Sequence, residues 1–175
     1  MSFHDLLIDL SERPLGVLQS IQDANCSLEC ANAHLGGHPN SIVWLLWHTG
    51  RELDIQLAEL NGLPQIWQEQ DIAALTGLDA GMGYGHSRQE ALAVQVSTQE
   101  QFDALLRYVE LTLRATRSYT AALAEEEASS ILEGEITYGV RLISIIDDAI
   151  QHLAQIQYIL GAQTAGPQNR CTTAS

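Results

Sequence analysis

The stretch from Tyr138 to Leu160 reads YGVRLISIIDDAIQHLAQIQYIL, and its apolar side chains recur with the period of an α-helix. The next residue, Gly161, is a typical helix stop. Polar residues form a second, narrow line at spacings of seven, four and three. We therefore predict a long amphipathic helix with an apolar face and a polar stripe. The apolar face consists of Leu142, Ile146, Ala149, Leu153, Ile156 and Leu160, and the stripe of Arg141, Asp148, His152 and Gln155.

Three other stretches carry the same periodicity. The first runs from about Phe3 to Asp23, and the second from the cap signal Asn40-Ser41 to Asn61-Gly62. The third begins with a capping-box pattern at Thr98 and runs to about Glu125. No segment has the pattern of a β-strand. The chain is therefore predicted to be all-α, with four long helices packed as a bundle.

The connection between the second and third predicted helices indicates the topology. This segment, Leu63–Ser97, is far longer than an antiparallel helix hairpin needs. A crossover of this length can carry the chain back along the bundle, which makes the two helices parallel. We therefore predict an up-down-down-up four-helix bundle in one domain, residues 1–161. A flexible C-terminal tail, residues 162–175, follows it.

The composition excludes several classes of function. The formal net charge is −14, and all eight basic residues are arginine. This balance disfavours nucleic acids, whose phosphates need clustered cations, and anionic membrane surfaces. No apolar run approaches the ~20 residues of a membrane span, and the N-terminus lacks the pattern of a secretory signal. We expect a cytoplasmic protein that acts on a small molecule.

The polar stripe of the fourth helix is a candidate metal site. Asp148 and His152 are four residues apart, so both side chains lean over the same turn and can reach one ion. Polar stripes of this kind usually face water. If the helix is buried instead, the acid and the imidazole need partners. Four isoleucines around the stripe favour burial: Ile143, Ile145, Ile150 and Ile159.

The second predicted helix begins with an unbroken apolar run, Ile42–Trp47, which is followed by His48. His48 lies nearly opposite the main apolar stripe of this helix, so it points away from the bundle interior if that stripe faces inward. The conflict disappears if the second face packs on another subunit, and we therefore predict a homodimer. His48 is either a metal ligand or a core histidine bonded to a carbonyl. Glu52, one turn further on, either orients His48 or faces solvent.

Two helices and one loop resemble the DinB-like family of metalloenzymes. The second helix contains Asn40-Ser-Ile-Val-Trp-Leu-Leu-Trp-His-Thr-Gly-Arg-Glu-Leu-Asp54, and the fourth contains Gly139-Val-Arg-Leu-Ile-Ser-Ile-Ile-Asp-Asp-Ala-Ile-Gln-His-Leu-Ala-Gln155. The loop before the third helix is Gly81-Met-Gly-Tyr-Gly-His-Ser87. These segments occur in the matching order, and the resemblance covers about residues 3–161.

The resemblance implies a four-helix bundle in which three side chains bind a divalent metal, Zn²⁺ or Ni²⁺. The ligands fall on His48, Asp148 and His152. Many members have histidine at the position of Asp148, whereas the mycothiol-dependent maleylpyruvate isomerase branch has a carboxylate there. The implied cosubstrate is a low-molecular-weight thiol such as mycothiol or bacillithiol, whose thiolate attacks a small electrophile. Such a protein is a thiol-dependent transferase or isomerase.

Three further residues are candidates for substrate binding. Arg141, two turns before Asp148, and Arg51, one turn beyond His48, can each anchor a carboxylate or pair with one of the 22 acidic residues. Tyr84, in the glycine-rich loop, either overhangs a pocket or is simply exposed. Two other functions stay open: a non-catalytic helical module that binds a small ligand or a partner, and a metal-assisted hydrolase in which water replaces the thiol.

Overall fold

Four long helices dominate the described part of the chain, residues 2–165, in this computed structural model. They match the four predicted helices and are α1 (Phe3–Asp23), α3 (Ile42–Asn61), α7 (Gln99–Ala122) and α9 (Tyr138–Ala165). The chain is thus mostly helical, as predicted. None of the helices among these residues has the length and apolar character needed to cross a lipid bilayer. The shorter elements are α2 (Leu28–Asn32), a 3-10 turn (Leu35–Gly37), α4 (Ile66–Glu69), α5 (Ile72–Thr76), α6 (Arg88–Ala93) and α8 (Glu125–Ala128).

The predicted start and stop signals are the caps that the helices use. The Ser41 hydroxyl accepts a hydrogen bond from the backbone N–H of Trp44 and so begins α3. Thr98 and Gln101 form a capping box at the start of α7. α3 ends where Gly62 adopts a left-handed conformation with φ 68°. These local signals explain why the ends of α3 and the start of α7 lie where the sequence places them.

α9 continues beyond Gly161, where the sequence predicts its end. On the next turn, the buried side chain of Gln163 donates a hydrogen bond to the carbonyl oxygen of Cys30. This contact offsets the cost of a glycine inside a helix, ~1 kcal/mol. Residues 162–165 of the predicted tail therefore belong to α9, and residues 166–175 lie outside the described residues.

Each long helix packs against two of the others. α1 contacts α7 and α9, and α3 contacts the same two helices. The faces that meet are the apolar stripes of the sequence pattern, so the core lies between the four helices. Buried members of this core are Leu18 of α1, Leu46 and Leu53 of α3, Leu105 and Leu113 of α7, and Leu153 and Ile156 of α9.

A short antiparallel ladder precedes α9. It pairs Ile131–Glu133 with Ile136–Thr137 around Gly134, which has φ 58°. The expectation that the chain contains no strand is wrong at this point. Strands of three and two residues are too short to show an alternating pattern, which is the signal by which a strand is identified in a sequence.

The segment between α3 and α7 covers the second apolar face of α3. Every residue of Ile42–Trp47 is buried. The indole N–H of Trp47 donates to the carbonyl oxygen of Asp79, in that segment, at 3.1 Å. The apolar surface on which the homodimer prediction rests is therefore covered by the chain itself. The homodimer stays a prediction without that surface to support it.

A buried ion pair ties this crossover segment to α3 and α7. Arg51 Nη1 lies 3.3 Å from Asp54 Oδ2, and the hydroxyl of Tyr108 in α7 donates to the same oxygen at 2.8 Å. Asp54 also accepts the backbone N–H groups of Ile66 and Trp67, each at 2.8 Å, at the start of α4. Because both charges are buried, loss of either partner leaves the other uncompensated.

Gly50 marks the close approach of α3 and α7, because a Cβ at this position would lie 2.6 Å from Tyr108 Cε1. We expect Gly50→Ala to displace the Tyr108 ring and to lower the free energy of unfolding by about 1–3 kcal/mol. Urea denaturation followed by circular dichroism measures this change. Gly16→Ala in α1 is the control, since a Cβ there meets no atom within 4 Å. Equal unfolding free energies for the two variants would contradict the close packing.

Candidate metal centre

The three predicted metal ligands converge on one point between α3 and α9. His48, Asp148 and His152 each offer a ligand atom, and these atoms all lie within 4.8 Å of one another. The imidazole rings of His48 and His152 are 4.7 Å apart between centroids. Near the other end of α3, Arg141 lies beside Gln56, so α3 and α9 run in opposite directions. The early and late halves of the chain thus meet at the site.

Each histidine is oriented through its Nδ1 atom. Nδ1 of His48 is hydrogen-bonded to the carbonyl oxygen of Met82, and Nδ1 of His152 lies 3.3 Å from Oε1 of Gln155. Both partners are carbonyl oxygens that can only accept, so Nδ1 carries the hydrogen in each ring. The Nε2 lone pairs remain for a metal, which is the usual arrangement of metal-binding histidines.

Aromatic packing fixes the two imidazole rings. Trp44 stacks on His48 with a centroid distance of 4.8 Å and an interplanar angle of 20°. The same indole meets the ring of His152 edge-on at 6.4 Å. One side of the site is therefore a rigid apolar wall, which limits ring rotation and restricts the access of water.

Two buried carboxyl oxygens at the site have no hydrogen-bond partner among the described residues: Oδ2 of Asp148 and Oε2 of Glu52. Asp148 Oδ2 lies 3.3 Å from Nε2 of His152. A buried oxygen without a partner is costly. A cation held between Asp148 Oδ2 and the Nε2 atoms of the two histidines would give that oxygen a partner. Two imidazole nitrogens and one carboxylate are a donor set that suits Zn²⁺ or a similar divalent ion. The residues present therefore fit such a metal.

The carboxyl groups of Glu52 and Asp148 have different protonation preferences. Burial, together with the neighbouring Asp148, raises the pKa of Glu52 to about 9. Burial also raises the pKa of Asp148, but the proximity of His152 and Glu52 and the charge of the imidazoles outweigh it, so that this pKa is lowered. Asp148 is thus the charged carboxylate of the pair and Glu52 its neutral neighbour. Glu52 neither bonds His48 nor faces open solvent: it is half-buried, lies beside Asp148 and accepts a hydrogen bond from Gln56.

The histidines also differ from each other. Burial lowers the pKa of His48, more than its bond to the Met82 carbonyl raises it. Burial lowers the pKa of His152 as well, but the neighbouring Asp148 carboxylate, together with the Gln155 side chain, outweighs burial and raises it. His48 is therefore the ligand that is held in its neutral form, which a metal ligand requires.

Arg51 does not reach the site. Its side chain is buried, stacks on Trp67 at 4.6 Å, and has every N–H group engaged. A guanidinium with no free donor cannot hold a substrate carboxylate, so the substrate-binding role predicted for Arg51 is replaced by a structural one. Its hydrogen-bond partners are the carbonyl oxygens of Ala80 and Gly81 and the side chains of Asp54, Gln65 and Tyr108.

The other two predicted substrate residues lie away from the ligands. Arg141 donates to Oε1 of Gln56 at 3.4 Å and lines a separate cavity of about 270 Å³ with Glu59 and Glu133. Gln56 in turn donates to Glu52 at 2.6 Å, so Arg141 is linked to the site only through two side chains. Tyr84 is 87% exposed. The described geometry brings neither side chain to the metal ligands.

A groove of about 780 Å³ opens beside His152, and the sequence pattern alone does not reveal it. Its walls come from α9, from the start of α3 and from the connection between α2 and α3. Only the α9 wall has a signal in the sequence, because Gln151, Gln155 and Tyr158 recur beside His152 at helical spacing. The other lining residues are Leu35, His38, Asn40, Leu45, Ala154 and Ile159.

The glycine-rich loop holds His48 in place by packing closely on the two indoles of α3. Gly83 has φ 80°, and a Cβ there would lie 2.7 Å from Trp47 and 3.1 Å from Trp44. His86 accepts a hydrogen bond from the indole N–H of Trp44 at 3.3 Å and stacks on Trp47 at 5.5 Å. The close approach of this backbone places the Met82 carbonyl against the imidazole of His48.

Comparison with known proteins supports the fold. The chain is similar to a crystal structure described as the conserved protein of locus from Enterococcus faecalis, with a TM-score of 0.78 and 28% sequence identity. The alignment covers 91% of this chain and 96% of that chain. No protein-family model and no curated protein matches the chain. The description of that structure states no activity, so the evidence on function comes from the site itself.

We expect Gly83→Ala to weaken the binding of Zn²⁺ by about 10-fold or more, because the displaced loop withdraws the Met82 carbonyl from His48. Isothermal titration calorimetry of the metal-free protein measures this affinity. Gly85→Ala is the matched control: it carries the same left-handed strain, with φ 75°, but its Cβ meets no atom within 4 Å. If both variants bind Zn²⁺ equally well, the loop does not support the site.

Proposed function

We propose that the protein is a divalent-metal-dependent enzyme of the DinB-like type that uses a low-molecular-weight thiol, as a transferase or isomerase acting on a small electrophile. The observation that carries the proposal is the convergence of His48, Asp148 and His152 within 4.8 Å on two antiparallel helices. Zn²⁺ or Ni²⁺ suits this donor set. We propose a cytoplasmic location, where small thiols are kept reduced.

We also propose that the four long helices form an up-down-down-up bundle. Contacts near the helix ends support this topology. His4 and Glu12 of α1 lie beside Thr120 and Arg117 of α7, which favours an antiparallel pair. Tyr108 lies beside Gly50, and Tyr119 beside Leu60, as expected when α3 and α7 are parallel. In this topology α3, which carries His48, lies next to α9, which carries Asp148 and His152.

Three protein ligands leave coordination positions open, as in catalytic rather than structural metal sites. A divalent metal held by these residues would supply Lewis acidity, which lowers the pKa of a thiol ligand toward neutral pH. The residues of this chain supply the setting: His48 and His152 present fixed Nε2 atoms, Asp148 contributes the negative charge, and Trp44 restricts water. The groove beside His152 gives a small molecule room to lie next to the ligands.

We expect His48→Ala, His152→Ala and Asp148→Asn each to lower Zn²⁺ affinity by more than about 100-fold, since each removes a direct ligand. Asp147→Asn is the matched control, because Asp147 is exposed and its carboxylate accepts a hydrogen bond from Gln151 instead. Elemental analysis and calorimetry of protein purified without a chelating tag measure the affinities. A full complement of metal in the three ligand variants would exclude this site.

The thiol-dependent reaction is tested separately from the metal. We expect Co²⁺-substituted protein to develop thiolate-to-metal charge-transfer absorption when mycothiol is added, and Asp148→Asn not to develop it. Turnover of a small electrophile is then compared with and without thiol. Turnover that persists without thiol would favour the metal-assisted hydrolase, and metal binding without thiol binding or turnover would favour the non-catalytic module.

A further inference from the structure

We propose that the groove beside His152 binds uncharged ligands that carry amide or hydroxyl groups. It rejects ligands that carry a carboxylate or phosphate remote from the sulfur of their thiol. This specificity rests on the proposed function, because the groove adjoins the same histidine. The groove offers amide groups as hydrogen-bond partners and has no lysine or arginine among its described lining residues.

The polar floor of the groove is a pair of glutamines on α9. Gln155 uses its carbonyl oxygen as the partner of His152 Nδ1, so its amide NH₂ group remains to donate. Gln151 donates from its NH₂ group to Asp147 at 2.7 Å, so its carbonyl oxygen remains to accept. One donor and one acceptor thus lie a helical turn apart. This pairing complements an amide or a hydroxyl group, each of which both donates and accepts.

No lysine or arginine side chain among the described residues lines the groove, and its two imidazoles belong to His38 and His152. The chain contains no lysine, and its net charge is −14. His38 uses Nδ1 to accept the backbone N–H of Asn40 at 3.2 Å, so that nitrogen is not available to a ligand. A carboxylate that enters the groove therefore loses hydration without gaining a charged partner, and the field of the whole chain opposes its approach.

Much of the remaining wall is apolar, and His38, Asn40 and Tyr158 complete it. Leu45 is buried, Ile159 is nearly so, and Leu35 closes the side formed by the 3-10 turn. Such walls accept a carbon skeleton, while the two glutamine amides set the orientation of the polar groups. Positive charge arises only at the His152 end, where a bound metal ion would receive the sulfur. The discrimination we propose therefore concerns the part of the ligand that is remote from the thiol.

The test uses two S-methylated ligands that differ in one group: S-methyl-N-acetylcysteine amide and S-methyl-N-acetylcysteine, which is a carboxylate at pH 7.5. Methylation removes the thiol, so binding requires neither the metal nor turnover. Side-chain amide signals in ¹H–¹⁵N NMR spectra report binding at Gln151 and Gln155. We expect the amide ligand to shift these signals with a Kd about 10-fold lower than that of the carboxylate ligand, as for one desolvated, unpaired charge.

A cation placed in the groove supplies the second arm. Ala154 lines the groove and is exposed, so Ala154→Arg introduces a partner for a carboxylate, and we expect the preference for the amide ligand to disappear. Ser144→Arg adds the same charge to an exposed position of α9 outside the groove and is expected to keep the preference. The proposal is overturned if neither ligand shifts the glutamine signals, if the carboxylate binds as tightly as the amide, or if the two arginine variants behave alike. A failure to bind metal leaves each of these results readable, so the two proposals fail separately.

Discussion

The hydrogen bond between the His48 imidazole and the Met82 carbonyl is the interaction on which the candidate site depends. It joins the helix that supplies the first ligand to the crossover segment that covers it. Trp44 restrains the rotation of the His48 ring, and the Met82 carbonyl fixes which of its nitrogens carries the hydrogen. The crossover is held in turn by Arg51, whose guanidinium binds the carbonyl oxygens of Ala80 and Gly81, next to Met82 in the chain. Arg51, which does not reach the candidate site, thus positions the loop that orients His48.

The site concentrates negative charge in a half-buried position. Asp148 and Glu52 bring two carboxyl groups together, and only one of them is charged at neutral pH, because burial and mutual repulsion keep the proton on Glu52. The two imidazoles facing Asp148 stabilise its charge. This balance would suit a divalent cation, because three ligands with a total charge of −1 would leave a bound ion with a net positive charge.

Much of the fold follows from local sequence signals. Ser41, Thr98 and Gly62 mark helix ends that the structure uses, and the three- to four-residue spacing of apolar side chains gives the four long helices their faces. The ligand pair Asp148 and His152 is equally local, since a spacing of four on one helix brings two side chains to one turn. Here, the physics that determines the structure acts within a few residues, and one sequence suffices to read it.

The rest depends on contacts between distant parts of the chain. The position of His48 opposite its apolar stripe suggests a second subunit, whereas the face is covered by a segment that lies some thirty residues further on. The residues next to Arg51 in the sequence do not indicate whether its side chain binds a substrate or, as found, the backbone of a distant loop. The groove is assembled from α9, the start of α3 and the connection between α2 and α3, so no single stretch of sequence displays it.

The division of the three candidate ligands between α3 and α9 would also tie the stability of the molecule to the free concentration of a bound divalent ion. A cation shared by residues 48 and 152 closes a loop of about a hundred residues, and an unfolded chain offers no comparable site. By mass action, every increase in ion activity above the dissociation constant then adds to the free energy of unfolding. A shortage of the ion would therefore lower the stability of the whole fold as well as the activity of the site.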